Sequence, residues 1–239
     1  MSTRPYPQKT IGILGGMSNR ATVEYYNFIN QAVNKRLGGW DIAETIIIGC
    51  NFGNIEYFVR QGEWDAAETY LLEKAKLAQA GGADILICMS NTMHKVLSRI
   101  SDVISIPFIH IATPTAAAIK QQQLQTVALL GTLPVMAENY MREKYEEVGI
   151  NIIVPTNNQQ IQIDKIIFDE LVKNIVTPQS KQFYINICQN LVSRGAQGII
   201  LGCTEIFLLI KPEDFENLPL FNTTELHVDA VVNLALGKS

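Results

Sequence analysis

The chain of 239 residues is long enough for one large or two small α/β domains, each with a core of its own. Hydrophobic residues make up 47% and charged residues 18%, an ordinary balance for a globular protein, and a net charge of −4 offers no basic surface to nucleic acid. No apolar run approaches the length of a membrane span, and residues 1–10 are polar with no apolar centre of a signal peptide, so a cytoplasmic protein without membrane contact is expected. Cys50, Cys88, Cys188 and Cys203 form no CxxC pair, and His94, His110 and His227 are scattered. Neither a disulfide framework nor a metal site is expected from that spacing.

Short β-branched runs alternate with longer amphipathic stretches, the pattern of parallel strands joined by helices. Strands are predicted at 10–14, 44–50, 84–89 and 107–110, then at 126–130, 151–154, 198–202 and 219–221. Helices are predicted between them, among others at 21–36, 64–80, 135–148 and 181–193.

The two sets of strands match in sequence. Thr10-Ile-Gly-Ile-Leu-Gly-Gly-Met17 parallels Thr126-Val-Ala-Leu-Leu-Gly-Thr-Leu133, Gly82-Ala-Asp-Ile-Leu-Ile-Cys-Met-Ser-Asn91 parallels Gly195-Ala-Gln-Gly-Ile-Ile-Leu-Gly-Cys-Thr204, and Ile106-Pro-Phe-Ile109 parallels Leu218-Pro-Leu-Phe221. The offsets of 116, 113 and 112 residues are nearly constant and in one order, which argues for a duplicated half. The predicted fold is therefore α/β, with two pseudo-symmetric domains, each a central parallel sheet flanked by helices, and an active site in the cleft between them. The boundaries fall at 1–113 plus 225–239 for the first domain and 114–224 for the second.

The duplication places Ser90 and Cys203 at equivalent points, each eight residues after a glycine and just past an apolar strand. Ligands of open parallel sheets bind beyond the carboxyl ends of the strands. Two side chains on opposite sides of one cleft suit inversion of a stereocentre, in which one group removes a proton and another returns it from the other face. Serine is also a favoured helix N-cap, and a buried cysteine is commonly a small hydrophobe; Cys50, Cys88 and Cys188 are read that way. Cys203 precedes a helix start, which favours a thiolate there, and Glu205 is a candidate cap or orienter beside it. His94 is either an orienter of a neighbour or an ordinary polar residue.

Gly15-Gly16-Met17-Ser18, Gln61-Gly62-Glu63-Trp64-Asp65, Asn91-Thr92-Met93-His94-Lys95 and Gly202-Cys203-Thr204-Glu205 resemble the aspartate/glutamate racemase family, and the resemblance covers nearly the whole chain. It implies racemisation of an acidic amino acid without pyridoxal phosphate or any other cofactor, a substrate held between two similar domains, and a homodimer. It implies proton transfer by Ser90 and Cys203, the cysteine serving the L-substrate, and substrate contacts from Met17, Ser18, Asn91, Thr92, Met93, Thr132, Lys165 and Thr204. Two features depart from the family pattern. Ser90 stands where cysteine is usual, and Asn54 stands where some aspartate racemases carry arginine. A nucleotide-binding enzyme is disfavoured because Gly12-Ile-Leu-Gly15-Gly16 is not GxGxxG and the second strand ends without an acidic residue. A maleate isomerase or hydantoin racemase, and an amino-acid-binding module without catalysis, remain as alternatives.

Overall fold

A computed structural model of the chain describes residues 7–237, so most of the polar opening segment and the last two residues lie outside it. Contacts divide the chain into two compact units. Of the described residues, the first comprises 7–89, Val96–His110 and 227–237, and the second Ser90–Lys95 and Ile111–Leu226.

The first unit is built on β1 (Ile11–Gly15), β2 (Thr45–Gly49), β3 (Ile85–Cys88) and β4 (Phe108–Ile109), all parallel in the order β2-β1-β3-β4. The central strands β1 and β3 are buried at every residue, which is why they read as unbroken apolar runs; β2, at the edge, is only half covered. Helices α1 (Asn19–Leu37), α2 (Phe52–Gln61) and α3 (Trp64–Ala80) connect these strands. Ser18 caps α1 by accepting a hydrogen bond from the Ala21 amide, and Lys35 and Arg36 sit in its last turn, where cations oppose the helix dipole.

In the second unit β5 (Thr126–Gly131), β6 (Asn151–Ile153), β7 (Ile199–Gly202) and β8 (Leu220–Asn222) repeat the same order as β6-β5-β7-β8, again parallel. One core cluster lies around Leu130, Ile167, Tyr184 and Leu201, and another around Ile119, Val127, Leu129 and Ile200. Alternate residues of β5 feed the two clusters, as the two-residue period of a strand requires. The helices are α4 (Ala112–Gln121), α5 (Leu133–Ala137), α6 (Asn139–Glu146), α7 (Asn157–Asp169), α8 (Pro178–Ser193) and α9 (Thr223–Ala235).

All eight predicted strands are present, with ends shifted by at most one residue. The helix predicted over 135–148 is instead two, because Glu138 is extended (φ −102°, ψ 162°) and ends α5. Its carboxylate is held 2.6 Å from Lys95 Nζ, a partner from a distant part of the chain that helical periodicity does not encode. Ser90–Lys95, placed in the first domain by the sequence, makes its contacts with the second unit. α9 begins in the second unit and ends in the first, where His227 is buried between the Tyr25 hydroxyl (3.2 Å) and the Ile109 carbonyl (2.9 Å). The carbonyl needs a donor, so His227 Nε2 carries the proton and Nδ1 accepts from Tyr25.

Candidate active site

Gly131 and Gly202 are register partners at the carboxyl ends of β5 and β7. A Cβ on Gly131 would come within 2.8 Å of the Gly202 carbonyl oxygen, and one on Gly202 within 2.7 Å of the Leu130 carbonyl oxygen. With no side chain at either place the two strand ends stay in close contact, and the next residues, Thr132 and Cys203, emerge from neighbouring strands. Both are buried.

Ser90–Lys95 lies against these strand ends through a chain of hydrogen bonds. Thr92 Oγ1 and Thr132 Oγ1 are 2.9 Å apart, and the Tyr140 hydroxyl donates to the Asn91 carbonyl at 3.4 Å. Asn91 Nδ2 donates to Thr223 Oγ1 at 3.1 Å, and that hydroxyl donates to the Leu201 carbonyl at 2.9 Å. Thr223 has one proton and spends it on Leu201, so toward Asn91 it can only accept, which fixes the orientation of the carboxamide. The Asn91 Oδ1 left on the other side is buried and has no hydrogen-bond partner among the described residues. An unsatisfied buried acceptor costs about 1–3 kcal/mol, so this one is a ready receptor for a donor brought by a ligand.

Ser90 caps the short 3-10 turn Thr92–Val96, its hydroxyl accepting from the Met93 amide at 3.4 Å. Met93 itself is fully buried, so its side chain belongs to the core. His94 is buried too: its Nδ1 lies 2.8 Å from the Ser90 carbonyl, and its Nε2 accepts from the Ile111 amide at 3.2 Å. An amide can only donate, so the imidazole is the Nδ1–H tautomer, and its proton goes to the carbonyl of Ser90 rather than to the hydroxyl.

Cys203 Sγ donates to Glu205 Oε2 at 3.2 Å, and the same oxygen accepts from Thr204 Oγ1 at 2.5 Å. Burial first, and then the Glu205 carboxylate, push the Cys203 thiol well above its ordinary range, against a backbone hydrogen bond from Glu205; Asp164 adds to the rise. This corrects the expectation of a thiolate favoured by a helix start. Beyond Cys203 the chain forms only a three-residue 3-10 turn, Ile206–Leu208, whose dipole is too small to offset burial beside a carboxylate. Asp164, on α7, also accepts from the Leu133 amide at 2.8 Å. Its neighbour Lys165, the predicted carboxylate ligand, is exposed.

Met17 and Ser18 follow β1 in the first unit, where the Gly16 amide donates to Thr22 Oγ1 at 2.7 Å and a Cβ on Gly16 (φ 81°) would overlap the Cys50 backbone. Burial raises the Cys50 thiol to about 11 and the Cys188 thiol to about 12, and Cys88 is fully enclosed in β3, so these three behave as core residues. A hollow of about 470 Å³ beside Arg142, Asn157 and Gln160 is lined by none of the predicted site residues. Thr223, Tyr140 and Asp164 are site neighbours that sequence reasoning misses. Among the described residues no group of three or more His, Cys, Asp or Glu is placed to hold a metal ion, and no helix is long and apolar enough to cross a membrane.

A family model described as Asp/Glu/hydantoin racemase matches residues 14–231. The chain belongs to this family. A crystal structure of a candidate Asp/Glu racemase from Yersinia pestis has 37% identity and a TM-score of 0.88, over 95% of this chain and 99% of that one. An aspartate racemase homologue from Pyrococcus horikoshii has 28% identity and a TM-score of 0.82 over the same shares. The Picrophilus torridus aspartate racemase, at 20% identity and a TM-score of 0.73 over 97% of this chain and 95% of that one, shares the fold. As a member of this family the protein is an isomerase, with the paired α/β architecture read from its sequence.

Proposed function

We propose that the protein racemises an acidic amino acid, aspartate first and glutamate second, by moving the α-proton between the substrate and Cys203 on one face and Ser90 on the other, with no cofactor. The observation that carries this reading is Asn91 Oδ1, buried and without a hydrogen-bond partner among the described residues, on a segment hydrogen-bonded to the ends of the strands that deliver Thr132 and Cys203. A buried amide oxygen suits an α-ammonium, and whichever of Thr92 and Thr132 accepts in their shared bond keeps its own proton for a carboxylate oxygen, whereas Thr204 spends its proton on Glu205 and can only accept from the ammonium. The α-proton is a very weak acid, and charge that builds on the substrate carboxylate as it leaves needs such preset donors away from water. Met17, Ser18 and Lys165 stay assigned as further contacts on the family pattern alone, and Met93 through its backbone only, since its side chain lies in the core. A homodimer and a cytoplasmic location belong to the same reading.

The test is proton NMR of L- and D-aspartate and L- and D-glutamate with the protein in deuterated buffer. Loss of the α-proton signal with appearance of the other enantiomer is expected, and Cys203→Ala abolishes it. Saturable binding without exchange identifies a binding module instead. Exchange confined to a hydantoin, or isomerisation of maleate, moves the protein to another branch of the family.

A further inference from the structure

Arg142, on α6 of the second unit, lies four residues from Glu138 and four from Glu146, the spacing at which helical side chains form ion pairs. Among the described residues it pairs with neither, and Glu138 is bound instead to Lys95 at 2.6 Å. The Arg142 Nε is buried, and the described residues place no hydrogen-bond partner at it. A charged donor shut away from water without an acceptor is costly. The side chain borders the hollow of about 470 Å³ that α5, α6 and the start of α7 enclose.

A second polar side chain on the same hollow is matched on one side only. Gln160, on α7, is 4% exposed, and its Nε2 donates to the Pro155 carbonyl at 2.8 Å. With the amide nitrogen so committed, Oε1 is an acceptor for which the described residues supply no donor. Much of the remaining wall is apolar: Leu133, Met136, Val154 and Ile161 line it, and Leu133 and Ile161 are 36% and 57% exposed although both are large and hydrophobic. A fixed cation, a neutral acceptor and an aliphatic wall in one hollow of ligand size select a small molecule with a carboxylate, an N–H donor and an apolar tail.

We propose that this hollow is a second amino-acid site, for an α-amino acid with an aliphatic side chain such as leucine. Its carboxylate pairs with the Arg142 guanidinium, its ammonium donates to Gln160 Oε1, and its side chain packs on Leu133, Met136, Val154 and Ile161. The acidic substrate of the proposed reaction is a poor occupant, because it would set a second carboxylate against the apolar wall. The reacting site is served by a different face of α6, since Tyr140, which bonds the Asn91 carbonyl, precedes Arg142 by only two residues. The two sites meet at α5, which follows Thr132 and whose Leu133 amide is held by Asp164 at 2.8 Å.

The test is a titration of the full, isotope-labelled chain with L-leucine, followed by NMR of its backbone amides. Saturable shifts at residues 133–137 and 154–161 are expected, with a Kd of about 1 mM or below. Leucinamide, which lacks the carboxylate, and 4-methylpentanoate, which lacks the ammonium, should each bind about tenfold more weakly, and this series needs no variant to fold. Arg142→Gln should weaken leucine binding by about tenfold and Arg142→Lys should recover part of it. L-Aspartate should move a separate set of signals, around Thr92, Thr132 and Cys203. Leucine shifts centred on that second set overturn the proposal, as do equal affinities for leucine and leucinamide, undiminished binding by Arg142→Gln, or no shifts up to about 10 mM leucine. None of these readouts depends on α-proton exchange, so failure of this site and failure of the racemase reading are separate results.

Discussion

His94 should make the protein lose stability steeply below about pH 6.5, for a reason that can be traced to two hydrogen bonds. Its Nδ1–H bonds the Ser90 carbonyl and its Nε2 accepts from the Ile111 amide. Protonating Nε2 replaces an acceptor with a donor facing a donor, inside a fully buried site. Burial accordingly draws the imidazole from 6.5 down to about 4, against the favourable bond to Ser90. Between those two values the unfolded chain binds a proton that the folded chain does not, so stability rises with pH across the window. The contribution is fully present above pH 6.5 and is lost as pH falls through about 4. At about 1.4 kcal/mol per pKa unit, the whole effect is about 3 kcal/mol. Urea unfolding of the wild type and of His94→Gln, in which the amide oxygen can still accept from Ile111, isolates the effect because carboxylate titrations are common to both. The wild type is expected to be the more stable at pH 7, by about 1–3 kcal/mol, with the gap closing by about 1.4 kcal/mol for each pH unit below 6.5. A gap that stays constant between pH 7 and pH 5, or a His94 ring signal that titrates near 6.5 in the folded protein, would refute the assigned tautomer and its two bonds.

Further tests address the strand ends and the segment pinned to them. Gly202→Ala should cost about 1–3 kcal/mol by forcing β5 and β7 apart, read as a lower urea midpoint, and an unchanged midpoint would show that the Gly131–Gly202 contact is not required. Thr132→Val removes the hydroxyl bound to Thr92; it should lower stability by about 1 kcal/mol and kcat/KM by about tenfold, and wild-type kcat/KM would remove Thr132 from the site. Asn91→Leu keeps a side chain branched at Cγ but without the unpaired oxygen. It should abolish substrate binding in a calorimetric titration while leaving the fold intact, and undiminished binding would remove the ammonium contact.

The fold is legible in the sequence because its central strands are covered on both faces. Ile11–Gly15, Ile85–Cys88, Thr126–Gly131 and Ile199–Gly202 stand out as apolar runs, and the repetition of their order along the chain reveals the duplication. The loops after the strands are legible from their motifs, which bring Asn91, Thr92, Thr132 and Cys203 into view together. The break at Glu138 is not, because it depends on a salt bridge with Lys95, far away in the chain. Thr223 lies one residue before the end of the predicted second domain at 224, and sequence spacing assigns it no role there, although a threonine directly after a strand is well placed to hold a neighbouring loop. Asp164 is hidden behind Lys165; the available signal is its position four residues after Gln160, a second polar side chain on the inward stripe of α7. The protonation state of Cys203 differs from the expectation because it is set by burial and by the Glu205 and Asp164 carboxylates, which sequence spacing alone does not weigh.

The pairing of a thiol with a hydroxyl makes the two directions of the proposed reaction unequal. Cys203 has a carboxylate in contact with its proton. The Ser90 hydroxyl faces the Met93 amide as an acceptor, and His94, the nearest base by sequence, has its ring nitrogens engaged with the Ser90 carbonyl and the Ile111 amide. Each pKa unit by which the hydroxyl is the weaker acid is worth about 1.4 kcal/mol, so a mismatch of even two units remaining in the site slows proton removal by Ser90 about a hundredfold. On the family pattern Cys203 serves the L-substrate, so L-aspartate should lose its α-proton to deuterated solvent faster than D-aspartate. Ser90→Cys should raise the D-to-L rate more than the exchange of the L-enantiomer. Only the first-half group changes in that variant, so the comparison separates the two faces within one protein. Equal exchange of both enantiomers by the Ser90 form would mean that a different group removes the proton from the D-substrate, and the assignment of Ser90 would fall while that of Cys203 stood.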